Sequence, residues 1–358
     1  MEQKNTKPAD SKLISKKQVL FMLLFVLIAA MSILAVAGQS QSFSLADFGQ
    51  YIQNASLPWL FMAIACMLGF IIFEGLALQI LCRAFGYRSS FRQGFIYSAS
   101  DIYFSAITPS ASGGQPASAY FMMKDGIDGM MTTVILVANL IMYTSAIIVI
   151  GCLCFLLRWD LFLQYGLPSR ILIIVGCVLQ IGLLIFFYLL LKKEQLLQKM
   201  CNGVLNVLCR LRILRNREKW QSKLDAYMDQ YRQYSRLISG HRKTLFFCFL
   251  FNFLQRASQI AVTMFVYAAT TGKNLFECIE LWFWQGYVVL GSNCMPIPGA
   301  IGVSDYLMLD GFKNIMTEAD AVNLELLSRS FSFYSCVIIC GIAVVAQYLV
   351  NKRRTKRT

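Results

Sequence analysis

The sequence predicts an all-α polytopic membrane protein with about six full transmembrane helices and two re-entrant broken-helix hairpins in inverted repeats. Three observations lead to this prediction. The 358 residues have a mean hydropathy of +0.56, and 15% of them are charged, against roughly 25% in soluble domains. Two stretches rich in proline and glycine interrupt the apolar regions, and the positive charges fall into separate segments.

Six apolar stretches are long enough to cross a bilayer, which takes about 20 residues. They lie near residues 19–37, 59–81, 130–157, 171–191, 245–269 and 326–350. The first stretch follows three lysines and ends near AVAG, which resembles a signal-peptidase site. Because its apolar core exceeds the roughly 7 to 15 residues of a cleaved signal, we predict an uncleaved first helix.

The net charge of +14 is distributed unevenly along the chain. Residues 192–244 contain thirteen Lys and Arg against four Asp and Glu. The tail 1–18 contains five Lys, and residues 351–358 read NKRRTKRT. The loop 38–58, in contrast, contains no Lys or Arg. By the positive-inside rule, both termini and 192–244 are predicted to be cytoplasmic, in a multi-pass protein of the cell membrane. We predict amphipathic helices on acidic headgroups for 192–244, with partner docking as the alternative, and no nucleic-acid binding.

The number of crossings predicts that two segments enter and leave the membrane on the same side. If residues 94–126 crossed it, the basic segment 192–244 would lie outside, against the charge rule. We therefore predict a re-entrant hairpin over 94–126 from the cytoplasmic side and another over 280–311 from the outside. They divide the protein into membrane halves 19–191 and 245–350, with the inverted arrangement that transporters often use.

The two breaks predict a cavity, since irregular backbone at membrane depth must be satisfied by protein or water. In TPSASGGQPAS, Pro109 ends one half-helix, Gly113 and Gly114 permit unusual backbone conformations, and Pro116 suits the first turn of the next. MPIPGAIGVSD repeats the pattern, and either Ser304 or Asp305 caps the following helix. Helix N-termini aimed at one point predict an anion site.

Ionisable residues inside the spans indicate a functional site, because each is costly there. Glu74 lies in the second span, Arg256 near the middle of the fifth, and Arg329 near the outer start of the last. Arg256 is the best candidate for a lipid phosphate, because guanidinium binds phosphate bidentately. The alternative is a buried ion pair of Arg256 with Glu74, Asp101 or Asp305.

The predicted lipid headgroup site has fifteen members, and no catalytic residue is assigned. They are Glu74, Thr108, Pro109, Ser112, Gly113, Gly114, Gln115, Pro116, Arg256, Pro296, Pro298, Gly299, Gly302, Asp305 and Arg329. Twelve cysteines without a C-x-x-C pair, and a single histidine, His241, argue against a zinc site. We predict no cofactor and no metal.

The stretches ITPSASGGQPASAYFMMKDG and PIPGAIG resemble the transmembrane flippase region of lysylphosphatidylglycerol synthases and their stand-alone relatives. The resemblance extends from the first helix to the last. The second stretch departs from the family's P-x-P-G-G-x-G-x-x-E at Ala300 and Asp305. The resemblance implies a lipid flippase-like fold with two re-entrant hairpins and a lipid cavity.

The leading hypothesis is a flippase-like protein that moves a phospholipid, such as lysyl-phosphatidylglycerol, between leaflets. The family's synthases carry a soluble carboxyl-terminal domain that transfers the aminoacyl group. Because this chain ends eight residues after Val350, we do not expect it to catalyse that transfer alone. The alternatives are a phosphatidylglycerol lysyltransferase linked to cationic-peptide resistance, with Glu74 or Asp101 as acid or base, and a non-transporting partner of a separate synthase. A homodimer is a further open alternative for the oligomeric state.

Overall fold

The computed structural model describes residues 49, 51–53, 55–108, 112–210, 217–295, 297, 300 and 302–355. The predicted first span, 19–37, lies outside these residues, as does the tail 1–18. All regular structure in the described part is helical. Helices are numbered here from the first one described in full.

The helices follow one another along the chain with short connections. They are α1 Leu57–Ala84, α2 Phe91–Ile107, α3 Gly114–Lys124, α4 Gly129–Leu157, α5 Trp159–Gln164, α6 Leu167–Lys192, α7 Glu194–Arg210, α8 Arg217–Gly240, α9 Arg242–Thr271, α10 Leu275–Ser292, α11 Val303–Phe312, α12 Glu318–Arg329 and α13 Ser335–Thr355, with a π-helical segment Ser330–Tyr334 joining the last two.

Five helical stretches of the described residues are long and apolar enough to span a membrane. They are α1, α4, α6, α9 and the continuous run Glu318–Asn351. These five confirm five of the six predicted spans. The last one begins earlier than its apolar pattern indicated, because the Thr317 side chain accepts a hydrogen bond from the Asp320 N–H and starts the helix there.

Helices α1 and α9 pack against each other in opposite directions over most of their length. At one end, the Ser56 N–H donates to the Ala269 carbonyl (2.7 Å). At the other end, the rings of Phe85 and His241 lie 5.8 Å apart. The chain just after α1 therefore lies beside the end of the basic segment 192–244.

Two pairs of shorter helices, α2 with α3 and α10 with α11, form helical hairpins between the long helices. Helix α2 starts at Ser90, whose side chain accepts from the Gln93 N–H while the Gln93 side chain accepts from the Ser90 N–H. It crosses α1 closely, since a Cβ added to Gly94 would lie 2.5 Å from the Gly75 carbonyl oxygen. None of these four helices is among the candidate spans.

The open end of the α2–α3 hairpin lies at the start of α4. The Tyr97 hydroxyl donates to Asp125 Oδ2 (2.8 Å), just after α3. The N–H of Asp128, the residue that caps α4, donates to the Tyr87 hydroxyl oxygen (3.4 Å) in the α1–α2 connection. The hairpin therefore begins and ends at the same place.

The open end of the α10–α11 hairpin lies at the opposite end of α4. Arg158, which follows α4, pairs with Glu280 of α10 (3.3 Å), and its carbonyl accepts from the Tyr287 hydroxyl (3.1 Å). Near the end of α11, Asp310 accepts from the Gly166 N–H (2.8 Å). The two hairpins therefore approach each other from opposite ends of a helix about 44 Å long.

The basic segment forms helices α7 and α8, and α8 packs partly on the protein itself. The Tyr231 hydroxyl donates to the Leu190 carbonyl at the end of α6 (3.1 Å). Tyr231 and Ile238 are buried, whereas Val207 of α7 is exposed. The described parts of 192–244 are therefore mainly helical, and protein covers part of their apolar surface.

Candidate functional site

Residues from the helices of both hairpins line a cavity of about 410 Å³. Hairpin residues, the middle of α4 and α9, and the π-helical segment line it. The polar lining includes Glu74, Asp101, Gln115, Arg256, Asn293 and Arg329. Four of these, Glu74, Gln115, Arg256 and Arg329, belong to the predicted headgroup set.

Arg256 reaches this cavity from α9 and is held there by neutral groups. Its Nη1 donates to Gln259 Oε1, and its Nη2 donates to Asn293 Oδ1 (3.2 Å). The guanidinium carbon lies 4.4 Å from the centre of the Tyr143 ring, a cation–π distance. Its Nε has no hydrogen-bond partner among the described residues.

The alternative prediction, a direct ion pair of Arg256, is wrong for the part of the chain described here. No carboxylate in that part lies within 4.0 Å of its nitrogens. Glutamine, asparagine and aromatic side chains hold the guanidinium instead, so no carboxylate of the described residues is bonded directly to its positive charge. A half-buried cation arranged in this way suits an anionic ligand.

Glu74 and Asp101 bring two carboxyl groups together beside Arg256. Glu74 Oε2 accepts hydrogen bonds from Ser98 Oγ (3.0 Å) and Gln255 Nε2 (3.1 Å). Asp101 accepts from Ser105 Oγ (3.2 Å) and from Gln115 Nε2 (2.7 Å). The two carboxyl groups are also within hydrogen-bonding reach of each other. They are called the carboxyl pair below.

The glycines of the first break serve a different purpose from the predicted one. Gly113 has helical angles (φ −82°, ψ −19°), and Gly114 is not among the residues of positive φ. A Cβ on Gly114 would lie 1.9 Å from Asp101 Oδ1 and 2.1 Å from Ser105 Oγ. The prediction that these glycines adopt unusual backbone angles is therefore wrong. Glycine is required at position 114 because there is no space for a side chain.

The start of α3 lies at the turn of the first hairpin. Pro116 lies in the first turn of α3, as predicted. The Thr108 hydroxyl accepts from the Gly113 N–H (2.9 Å), so this amide already has a partner. Thr108, Ser112, Gly113, Gly114 and Pro116 lie at the turn and are not part of the cavity wall. Pro109 lies outside the described residues.

The second break does require an unusual backbone. Gly302 has φ +87°, and Ala300 has φ +51°, which only glycine adopts freely. The Gly302 N–H donates to Asp305 Oδ2 (2.9 Å), so Asp305 rather than Ser304 caps α11. Pro296, Pro298 and Gly299 lie outside the described residues.

Arg329 also lines the cavity, but two carboxylates neutralise it. It forms ion pairs with Asp305 and with Glu325 Oε1 (3.0 Å), and it donates to Ser304 Oγ. Its predicted place near the start of the last helix is wrong. Because the helix begins at Glu318, Arg329 sits three turns inside it, where the π-helical segment begins.

Several site residues were not predicted from the sequence. Tyr143, Gln255, Asn293 and Glu325 all contact a predicted arginine or carboxylate. Three of them have polar side chains, and all four lie near an apolar stretch. Polar residues near apolar stretches also occur elsewhere in this chain, so this pattern alone does not identify these four positions. Only the i, i+4 spacing from Arg329 along one helix face could have singled out Glu325.

Outside the spanning helices, Arg158 joins the second hairpin to the start of α5. It forms an ion pair with Asp160 (2.9 Å) and another with Glu280 (3.3 Å). Its hydrogen bond to the carboxylate lowers the pKa of Asp160. This contact lies at the rim of the protein, away from the cavity.

The fold and the cavity define a polytopic helical membrane protein with a buried, charged cavity between two helical hairpins. The family model described as lysylphosphatidylglycerol synthase TM region matches residues 19–340. The chain therefore belongs to this family, which confirms the resemblance noted in its sequence. No curated protein matches the chain.

Proposed function

We propose that this protein translocates a phosphate-bearing phospholipid between leaflets, as a flippase-like carrier. The observation that carries the proposal is Arg256, a half-buried cation with no directly bonded carboxylate among the described residues, in a cavity between the two hairpins. Lysyl-phosphatidylglycerol and phosphatidylglycerol are the first substrates to test. Family membership over residues 19–340 supports this choice.

The size and chemistry of the cavity suit a lipid headgroup. Its volume of about 410 Å³ falls in the range of roughly 300–1,000 Å³ that is usual for small-molecule sites. Arg256 would bind the phosphate, and the carboxyl pair lies beside it for any cationic part of the headgroup. The acyl chains would remain in the surrounding lipid.

We infer that the two hairpins are re-entrant and enter from opposite faces of the membrane. Their open ends lie at opposite ends of α4 and residues of both line one cavity, which supports inverted halves around a central site. The basic segment, with α7 and α8, lies at the same end of the protein as the Phe85–His241 contact. By the charge rule, we assign that end to the cytoplasm, together with both termini.

The partners of the protein also remain proposals. We propose that α7 and α8 contact acidic headgroups with their exposed basic residues. Co-purification with a lysylphosphatidylglycerol synthase, and the mass of the solubilised protein, would test a synthase partner and a homodimer separately.

The test is translocation by purified protein in vesicles with labelled phosphatidylglycerol or lysyl-phosphatidylglycerol. We expect the labelled lipid to become accessible on the opposite leaflet faster than in protein-free vesicles. Arg88→Gln, at an exposed arginine, is the matched control for Arg256→Gln. If neither lipid moves faster than in protein-free vesicles, the proposal is wrong.

A second assay separates transport from synthesis. Membranes containing only this protein are incubated with labelled lysyl-tRNA, and we expect no aminoacylated lipid. Formation of lysyl-phosphatidylglycerol would instead favour the lysyltransferase.

A further inference from the structure

The carboxyl pair is an unusual arrangement for two acids in a membrane protein. An ionised carboxylate only accepts hydrogen bonds, and two like charges in contact cannot both ionise cheaply at low dielectric. Glu74 and Asp101 are nevertheless within hydrogen-bonding reach of each other. A proton held between them resolves the conflict, because one carboxyl then donates to the other.

Within the described part of the chain, the hydrogen bonds that the pair accepts come from neutral side chains. Ser98, Ser105, Gln115 and Gln255 bond the two carboxyl groups, and all four are neutral. The charged and titratable groups that face Glu74 from the packed helices are Asp101 on α2, Arg256 on α9, and the thiols of Cys336 and Cys340 on α13. Tyr143 of α4 faces the same cavity.

The second acid pair of the protein differs in this respect. Asp305 and Glu325 both form direct ion pairs with Arg329. Arg256 forms none with Glu74 or Asp101 among the described residues. Of the two acid pairs, only the Glu74–Asp101 pair therefore both lines the cavity and lacks a bonded cation.

We propose that the Glu74–Asp101 pair is a proton-binding site, and that the protein exchanges one proton for one ammonium-bearing lipid headgroup. This inference rests on the proposed lipid translocation. As the headgroup enters, its phosphate binds Arg256, its ammonium group binds the two carboxylates, and the shared proton leaves to water. One positive charge leaves as another arrives, so the exchange adds no net charge at the carboxyl pair.

The proposed exchange gives the transporter an energy source. A proton that returns to the pair from the outside after the headgroup leaves would make outward lipid movement depend on the pH gradient. For one-to-one exchange, one pH unit corresponds to a shift of about tenfold in the limiting lipid ratio between leaflets. A phospholipid without an ammonium group would not displace the proton.

The first test uses vesicles that contain lysyl-phosphatidylglycerol or phosphatidylglycerol, with a pH-sensitive dye inside. We expect lysyl-phosphatidylglycerol movement to follow an imposed pH gradient and to move protons in the opposite direction. Glu74→Gln and Asp101→Asn should each abolish the dependence on pH, whereas Asp160→Asn, an exposed acid away from the cavity, should retain it. Lipid movement without any pH dependence overturns the inference but not the proposed function, while absence of lipid movement overturns both.

The second test detects the proton directly, without transport. The infrared spectrum of the solubilised protein at neutral pH should contain a protonated-carboxyl band that is missing in Glu74→Gln. Adding lysyl-phosphatidylglycerol should weaken this band, and phosphatidylglycerol should not. Identical carboxyl bands in the wild type and in Glu74→Gln would overturn the inference, even if both proteins fold and move lipid.

Discussion

Arg329, at the end of α12, forms a buried ion pair with Asp305, the residue that caps α11. The contact ties the second helix of one hairpin to the last spanning helix. Glu325, one turn earlier, pairs with the same guanidinium (3.0 Å). The break in the second hairpin is therefore attached to the span beside it through charges as well as packing.

Removing one member of this cluster should destabilise the protein strongly. Asp305→Asn leaves Arg329 with one carboxylate partner and weakens the cap of α11, and breaking a buried pair typically costs about 3–5 kcal/mol. We expect a lower thermal unfolding temperature in detergent. Asp305→Glu, the acid usual in the family, should retain more stability than Asp305→Asn, and equal unfolding temperatures for the two variants would contradict the role of the charge.

Adding a methyl group at Gly114 should disrupt the first hairpin. The new Cβ would lie 1.9 Å from Asp101 Oδ1, and overpacking of this kind costs about 1–3 kcal/mol. Gly182→Ala is the matched control, because nothing lies within 4 Å of a Cβ at that helical position. We expect Gly114→Ala to lower the unfolding temperature and Gly182→Ala to leave it unchanged or slightly higher, and the opposite order would contradict this reading.

Replacing Ala300 with glycine should relieve backbone strain in the second break. Ala300 has φ +51°, and a side chain in the left-handed region costs roughly 1–2 kcal/mol. The greater chain entropy of glycine offsets part of this gain, so we expect a stabilisation of about 1 kcal/mol or less. Gly302→Ala, at φ +87°, should destabilise the same segment, and a gain in stability there would contradict the strain argument.

Substitutions at Arg256 should affect lipid movement more than folding. Gln259, Asn293 and Tyr143 hold the guanidinium by neutral contacts. Among the described residues, Arg256→Gln therefore does not take a directly bonded partner away from a carboxylate. We expect at least a tenfold slower lipid movement at nearly unchanged unfolding temperature. Arg256→Lys should be intermediate, because ammonium keeps the charge but not the planar fork. Lipid movement at the wild-type rate in Arg256→Gln would remove this residue from the headgroup site.

The exposed surface of α7 and α8 should respond to lipid charge. If their basic residues contact acidic headgroups, amide hydrogen exchange in 194–210 and 217–240 should slow in nanodiscs rich in phosphatidylglycerol relative to neutral nanodiscs. The spanning helix α6 provides the internal comparison. Identical exchange in both lipids would favour partner docking for this segment.

The sequence predicted most of the membrane architecture because its signals are local. The length of the apolar stretches and the distribution of charge predict the five described spans and the helices of 192–244 without any knowledge of packing. The breaks were visible for the same reason, since proline and glycine interrupt a helix wherever they occur. The reason for Gly114 was not visible, because the atom that excludes a side chain belongs to Asp101, thirteen residues earlier.

By itself, the sequence determined that this is a helical membrane protein with two broken segments and a few costly charges inside its spans. Only the tertiary structure decided how those charges are paired. Arg329 forms ion pairs with both Asp305 and Glu325, while Arg256 lies beside Glu74 and Asp101 and has no bonded carboxylate in the part of the chain that the structure describes. The reason is physical: an ion pair depends on a separation of a few ångströms between side chains, and helices distant along the chain reach that separation only when they pack.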